Sequence, residues 1–286
     1  MSEIKNIIFN DDLVKSDIFD KYIRLEDELR QLHKVAIAFS GGVDSTFLLN
    51  TAKKVLEKNV LAITLVTDAF PKNEKEFAKK FCRENNIEQI ELNIDIFEVD
   101  EFAENTKDRC YYCKKNMFEK ILLAAKEKGF DIVCEGSNQS DMSDYRPGLK
   151  ALEELCIYSP LRKALLLKDE IRQLSKKDGI LIWDKPSFAC LASRVMYGER
   201  ITKEKLEKIG YCEKVLLELG FKQYRVRMHG NLARIEIYKE DFGRILEEDV
   251  RMKIMSSFQK AGFTYVTLDM QGFRSGSMND MLTIRA

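Results

Sequence analysis

Short apolar runs alternate with amphipathic stretches through the opening third of the chain, the pattern of a βαβ sheet. Residues 34–39 read as a buried strand. Residues 45–56 place Phe47, Leu48, Leu49, Ala52, Val55 and Leu56 at the spacing of one helix face. The pattern then predicts a second strand over 60–66, a charged helix over 73–85 and a third strand over 87–94. A further helix over 113–128 carries Met117, Phe118, Ile121, Leu122 and Ala125 on one face, and a strand over 132–135 runs into the loop 136–141. After an irregular stretch at 185–198, the chain predicts a helix over 203–219 and a β-hairpin of 224–229 and 233–237 around Gly230-Asn231. A helix over 242–261 and a strand over 265–268 complete it. The expectation is an α/β fold: residues 1–184 form a parallel sheet flanked by helices, and residues 185–286 form a smaller α+β domain.

Composition narrows the function classes. The 286 residues are 45% hydrophobic and 33% charged, enough to bury a core. Basic and acidic side chains number 47 each, which argues against a nucleic-acid coat protein and makes RNA or DNA an unexpected partner. Apolar runs such as 60–66 fall far short of the roughly 20 residues of a membrane span. Residues 1–10 have no apolar stretch after a basic start, so no secretory signal is expected and a cytoplasmic location is. Residues 185–286 hold 18 basic and 13 acidic side chains, an excess of five positive charges over the final third that suits an anionic ligand. Seven cysteines against two histidines, in a chain this long, point to reduced thiols rather than a disulfide framework.

The sharpest motif is Ser40-Gly41-Gly42-Val43-Asp44-Ser45, between the first strand and its helix. Two glycines allow a tight turn and close backbone approach, and the helix start offers amides to an anion. Ser40 and Ser45 add hydroxyls. Asp44 is an odd neighbour for an anion unless it orders the loop or helps to hold Mg²⁺. An ordinary capped strand–turn–helix is the plainer reading. The motif resembles the PP-loop of the N-type ATP pyrophosphatases. That resemblance implies ATP bound on Ser40, Gly41, Gly42, Asp44 and Ser45, adenine near Val66 and Thr67, and adenylation of a substrate oxygen with release of pyrophosphate. Asn138 and Asp141 sit at a strand end, where ligands bind in open α/β sheets, and are candidates to orient ATP, Mg²⁺ or the acceptor.

Cys110 and Cys113 form a C-x-x-C pair at a helix start, and Cys190 lies in Lys185-Pro-Ser-Phe-Ala-Cys190-Leu-Ala-Ser-Arg194. Taken alone these three support a redox dithiol, a zinc site, buried packing thiols or a 4Fe–4S cluster with one open iron. The remaining cysteines, Cys82, Cys134, Cys156 and Cys212, read as packing residues. Arg225 and Arg227 alternate on one strand, as Arg234 and Glu236 do on its partner, so each pair shares a face. Paired arginines suit phosphate or carboxylate, while a solvated face with cross-strand ion pairs is the bland alternative.

The segments 108–118, 135–141, 185–202, 224–237 and 265–279, together with the loop, resemble the LarE family over about 240 residues. The resemblance implies an enzyme that adenylates a carboxylate of a pyridinium biscarboxylate mononucleotide and replaces its oxygen with sulfur. The thiocarboxylate product lies on the way to the nickel-pincer nucleotide cofactor. In many members one cysteine, here Cys190, is the sacrificed sulfur donor. A second group holds a 4Fe–4S cluster on three cysteines, which map onto Cys110, Cys113 and Cys190, with sulfide or another sulfur donor supplying the atom. Having both features, this sequence resembles the cluster type. Arg194, Arg225, Arg227 and Glu236 map near the substrate, and homo-oligomers, trimers or hexamers, are implied. A 4Fe–4S tRNA thiolase and a non-enzymatic ATP and cluster sensor are the alternatives.

Overall fold

The computed structural model describes residues 12–70, 72–143, 147–186 and 190–279. The expectations for residues 1–10, and for residues 187–189 beside Cys190, lie outside them. In chain order the elements begin α1 (Asp12–Leu32), β1 (Val35–Ala38), α2 (Val43–Leu56), β2 (Val60–Val66), α3 (Lys72–Glu84) and β3 (Glu88–Asn93). They continue with α4 (Asp100–Ala103), α5 (Arg109–Glu127), β4 (Val133–Cys134), α6 (Gly148–Glu154), α7 (Pro160–Lys163) and α8 (Lys168–Lys177). The last are α9 (Lys203–Glu218), β5 (Tyr224–His229), β6 (Leu232–Ile237), α10 (Phe242–Ile245), α11 (Glu248–Lys260) and β7 (Tyr265–Leu268). Two compact units result: residues 1–66, 72–93 and 114–187 in the first, and residues 67–71, 94–113 and 188–286 in the second.

The first unit is built on a four-stranded parallel sheet of order β3-β2-β1-β4. Alternation of side chains explains why β1, and β2 apart from Thr64, are apolar on both faces. Val35, Ile37, Val60 and Ala62 pack with Leu25 and Leu29 of α1, Phe47, Leu48 and Ala52 of α2, and Ile171 of α8. Ala36, Leu61 and Ile63 face the other way, onto Phe118, Ile121 and Ala125 of α5 and Leu152 of α6. Strands covered on both faces read as continuous hydrophobic runs. The sequence reading names no element over α1, whose apolar stripe of Ile18, Leu25 and Leu29 is diluted by charge.

In the second unit the order is β5-β6-β7, with β6 antiparallel to β5 and parallel to β7. The hairpin turns at Gly230, which takes φ +56°. Its register sets Arg225 opposite Glu236 and Arg227 opposite Arg234. Two expectations are corrected in detail. The helix over 242–261 is two helices, α10 and α11, broken at Leu246-Glu247. The helix over 113–128 starts earlier, at Arg109, so Cys110 and Cys113 both lie within its first turns. Cys82, Cys134 and Cys212 are buried, and burial pushes their thiols up, those of Cys82 and Cys212 to about 12. Cys156 is not a packing residue: it is exposed, in a turn with φ +54°.

Candidate functional site

The chain leaves β1 through Phe39 and Ser40 and turns at Gly41, which has φ +77°. Gly42 caps α2 with no side-chain hydrogen bond, so the first-turn amides keep their capacity for an external acceptor. Hydroxyls order the turn. Ser40 Oγ accepts from the Gly42 amide at 3.3 Å and lies 3.0 Å from Ser45 Oγ. Ser45 Oγ and Thr46 Oγ1 donate to the Gly42 carbonyl at 3.1 and 2.8 Å. Asp44 is paired with Lys168 at the start of α8, and burial raises its carboxyl above the usual range despite that cation. Lys185 reaches the turn from the other side, donating to Glu74 Oε2 at 2.8 Å and to the Gly41 carbonyl at 3.4 Å.

The loop 136–141 backs directly onto this turn. A Cβ on Gly136 would lie 3.0 Å from the Ser45 nitrogen, so a side chain there has no room. Buried Glu135 anchors the loop by accepting from the Ser137 amide and hydroxyl at 3.0 and 2.7 Å and from Ser159 Oγ at 2.5 Å. Asn138 Oδ1 accepts from the Ser140 amide, and Asp141 Oδ2 from the Asn138 amide, at 2.9 and 3.0 Å. The charge of Asp141 acts on Asp44. Ser40, Gly41, Gly42, Asp44, Ser45, Asn138 and Asp141 thus gather in one place in the first unit. Val66 ends β2 in this unit, whereas Thr67 belongs to the second, where its Oγ1 accepts from the Ala69 amide at 3.1 Å. Lys168, Lys185 and Glu74 were not singled out from the sequence, because no local pattern marks a side chain whose partner is over 100 positions away.

All three cysteines of interest fall in the second unit. Cys110 is exposed, and Cys113 and Cys190 are partly exposed. Burial of its sulfur pushes the Cys190 thiol up; the charge of Cys110 acts in the same direction, against the Ala192 amide, Arg109 and Arg194. Asn105, fully buried at φ +57°, ties the segments of Cys110 and Cys190 together. Its Nδ2 donates to the carbonyls of Val195, Met196 and Glu199 at 3.3, 2.6 and 3.1 Å, and its Oδ1 accepts from Arg109. The Arg109 guanidinium lies over the Tyr197 ring at 4.5 Å. Asn105 was also missed, since a single asparagine carries no motif. Among the described residues, no group of three His, Cys, Asp or Glu side chains is gathered closely enough to hold a metal ion. The thiols fit an iron–sulfur cluster in kind and number, but they are not preassembled around one.

Losing the Asn105 amide forfeits its two N–H donors, shared among three carbonyls, and the bond its Oδ1 accepts from Arg109, about 1 kcal/mol each, and leaves alanine at a left-handed angle. Asn105→Ala is expected to lower unfolding stability by about 3 kcal/mol, and Asn105→Gly, which tolerates the angle, by less. Urea unfolding followed by circular dichroism checks the order of the two. Equal losses would remove the backbone part of the explanation.

The arginine face is not solvated. Arg194, Arg225, Arg227 and Glu236 are all buried, Arg194 and Glu236 completely. Arg194 is held by Glu213 through Nε and Nη2 at 2.8 and 3.1 Å, and Nη1 donates to the Cys190 carbonyl at 3.2 Å. Arg227 makes the same two-pronged contact with Glu236, at 3.1 and 2.9 Å, and donates to the Ser193 carbonyl and Ser277 Oγ, both at 2.9 Å. Arg234 joins Glu236 at 3.2 Å and also pairs with Asp269. Arg225 donates to the Tyr224 carbonyl at 2.7 Å. Burial, together with Arg194 and Arg227, pushes it down to about 9, still charged at neutral pH. Four guanidinium groups and three carboxylates make up this described cluster, so it carries a net positive charge that favours an anion.

A PP-loop domain model matches residues 15–144. An uncharacterized protein of Synechocystis sp. is 38% identical over 253 residues, covering 88% of this chain and 94% of its own. The pyridinium-3,5-bisthiocarboxylic acid mononucleotide synthase of Lactiplantibacillus plantarum is 37% identical over 256 residues, 89% of this chain and 92% of that enzyme. An uncharacterized protein of Methanocaldococcus jannaschii is 33% identical over 262 residues, 89% and 98% of the two chains. No described helix is long and apolar enough to cross a membrane.

Proposed function

The chain belongs to the LarE family of ATP-dependent PP-loop sulfurtransferases, and on that premise we propose that it converts a carboxylate of pyridinium-3,5-biscarboxylate mononucleotide into a thiocarboxylate in nickel-pincer cofactor synthesis. The observation that carries this reading is the 37% identity to the synthase across nearly the whole of both chains. The chemistry it requires is plain. A carboxylate oxygen leaves poorly, so it first attacks the α-phosphorus of ATP; pyrophosphate departs, and sulfur then displaces AMP from the acyl adenylate. The Ser40–Ser45 turn and the amides of α2 would hold the polyphosphate as charge builds on the departing pyrophosphate. Asn138 and Asp141 would orient the nucleotide or its Mg²⁺. Arg225, together with Arg227 oriented by Glu236, would favour the anionic mononucleotide, and Arg194, bound to Glu213, would fix the turn that carries Cys190.

The cysteine set supports the cluster-dependent form, with Cys110, Cys113 and Cys190 as the residues that would hold a 4Fe–4S cluster. When bound, that cluster would supply a site for exogenous sulfide. In this form Cys190 is retained. In the sacrificial form its sulfur is consumed.

Anaerobic purification followed by iron and sulfide analysis tests the cluster. Wild type is expected to hold about four irons per chain and Cys110→Ala fewer than one. Zinc in place of iron would overturn the assignment. Intact mass after turnover separates the two forms, since loss of about 34 Da, one H₂S, at Cys190 marks the sacrificial route. Pyrophosphate release that requires the biscarboxylate nucleotide separates both from a sensor. A homo-oligomer, trimer or hexamer, belongs to the same proposal and is checked by light scattering.

A further inference from the structure

The polar face of the β5–β6 pair is graded from closed to open. Arg225, Arg227 and His229 alternate along β5, and the register sets them on the same face as Glu236 and Arg234 of β6. Arg225, Arg227 and Glu236 are buried, whereas the Arg234 side chain is 26% exposed and His229, beside the Gly230 turn, is half-buried. The row therefore meets solvent at its Arg234–His229 end. There each nitrogen of the Arg234 guanidinium has a partner. Nη1 pairs with Asp269, Nη2 lies 3.2 Å from Glu236 Oε1, and Nε donates to His229 Nε2 at 3.2 Å. That last contact needs a neutral imidazole with its proton on Nδ1, because an imidazolium has no lone pair to offer. The charged groups around the ring are Arg227 of β5, Arg234 and Glu236 of β6, and Glu199 ahead of α9. Burial first, and Arg234 next, hold the imidazole below the ordinary histidine value, so the ring is neutral at pH 7.

We propose that His229 is a proton-linked part of the anion site: an anion entering the open end of the row takes Arg234 Nε from the imidazole, and the ring gains a proton from solvent and becomes a second donor to the same anion. One contact with a neutral acceptor gives way to two charge-assisted ones. The charge of the anion also offsets the repulsion between guanidinium and imidazolium that disfavours protonation without it. Arg234 stays tied to Glu236 and Asp269, so only Nε changes partner. A ring that holds its proton more tightly with the anion than without it couples binding to proton uptake. Affinity for an anionic nucleotide therefore rises as pH falls, until the ring is protonated in both states. This inference rests on the arginine face binding the anionic mononucleotide.

The chain has two histidines, His33 and His229, so NMR of the full chain follows their ring C2 protons separately, with His33→Gln making the assignment. Inorganic sulfate is the first probe, a dianion throughout the range, about pH 5 to 8, in which histidine titrates. Against sodium chloride of equal ionic strength, sulfate is expected to raise the His229 midpoint by about one unit or more and to leave that of His33 in place. Glutamine accepts from Arg234 as the neutral ring does but cannot gain a proton. The KM of wild type for the biscarboxylate mononucleotide, divided by that of His229→Gln, is therefore expected to fall about tenfold from pH 8 to pH 5.5. An unmoved His229 midpoint, or a KM ratio that is flat with pH, would overturn the proposal. If Arg225→Met binds the mononucleotide as tightly as wild type, the face is not the substrate site and that reading fails, an outcome distinct from binding there without proton uptake. Melting curves of each variant, matched to wild type, keep misfolding out of the comparison.

Discussion

Replacing Glu236 with alanine is expected to cost the folded chain about 3–5 kcal/mol, the range for breaking a buried ion pair from one side. No atom of Glu236 has appreciable contact with solvent. Its two oxygens serve Arg227, Arg234 and the Ser277 hydroxyl, which donates at 2.9 Å. Alanine strips the buried Arg227 guanidinium of its paired carboxylate, while Arg234, partly exposed, keeps Asp269. Burial already pushes the Arg227 guanidinium below its ordinary value with Glu236 present. Ser277→Ala, which deletes one hydroxyl and no charge, is expected to cost about 1 kcal/mol. Equilibrium denaturation of both variants gives the comparison. A loss under about 1 kcal/mol for Glu236→Ala would show that the cluster relaxes or hydrates without its central carboxylate.

The second large effect is expected at Gly41. An added Cβ would stand 2.8 Å from the Glu74 carbonyl oxygen, a backbone atom that cannot swing aside, at φ +77° where side chains are strained. Strain of about 1–2 kcal/mol plus displacement of the turn predicts a fall in ATP-dependent pyrophosphate release of about 100-fold for Gly41→Ala. Gly42 is the internal comparison. It has φ −77°, and its added Cβ would meet only the Ser40 hydroxyl, at 3.4 Å. A drop in melting temperature is therefore expected for Gly41→Ala and not for Gly42→Ala. If both variants melt alike, the crowding argument at Gly41 fails.

Legibility in the sequence followed the range of the forces involved. The glycine turn, β1, β2 and the 224–237 hairpin were readable because each rests on neighbours within a few positions: a period of two, a helix face, or a Gly-Asn turn. The shared face of Arg225 and Arg227 came from the same alternation. Its burial did not, because burial depends on Glu213 from α9 and Ser277 near the end of the described chain. Lys168 and Asn105 were invisible for the same reason, as each acts on groups far away in sequence. The single helix expected over 242–261 failed at Leu246-Glu247, where apolar spacing continues across the break. For α1 the fault ran the other way: a charged surface hid a narrow buried stripe.

The interleaved makeup of the second unit carries a consequence for synthesis. Residues 94–113 emerge from the ribosome well before residues 188–286, with which they pack. At roughly 5–20 residues per second, Asn105 and Phe102, both buried in the folded chain, wait on the order of ten seconds for the residues that cover them. During that interval the Asn105 amide lacks the Val195, Met196 and Glu199 carbonyls it holds in the folded chain. A fragment ending near residue 187 would leave these groups without their partners permanently, which makes truncation there a poor route to an isolated nucleotide-binding unit.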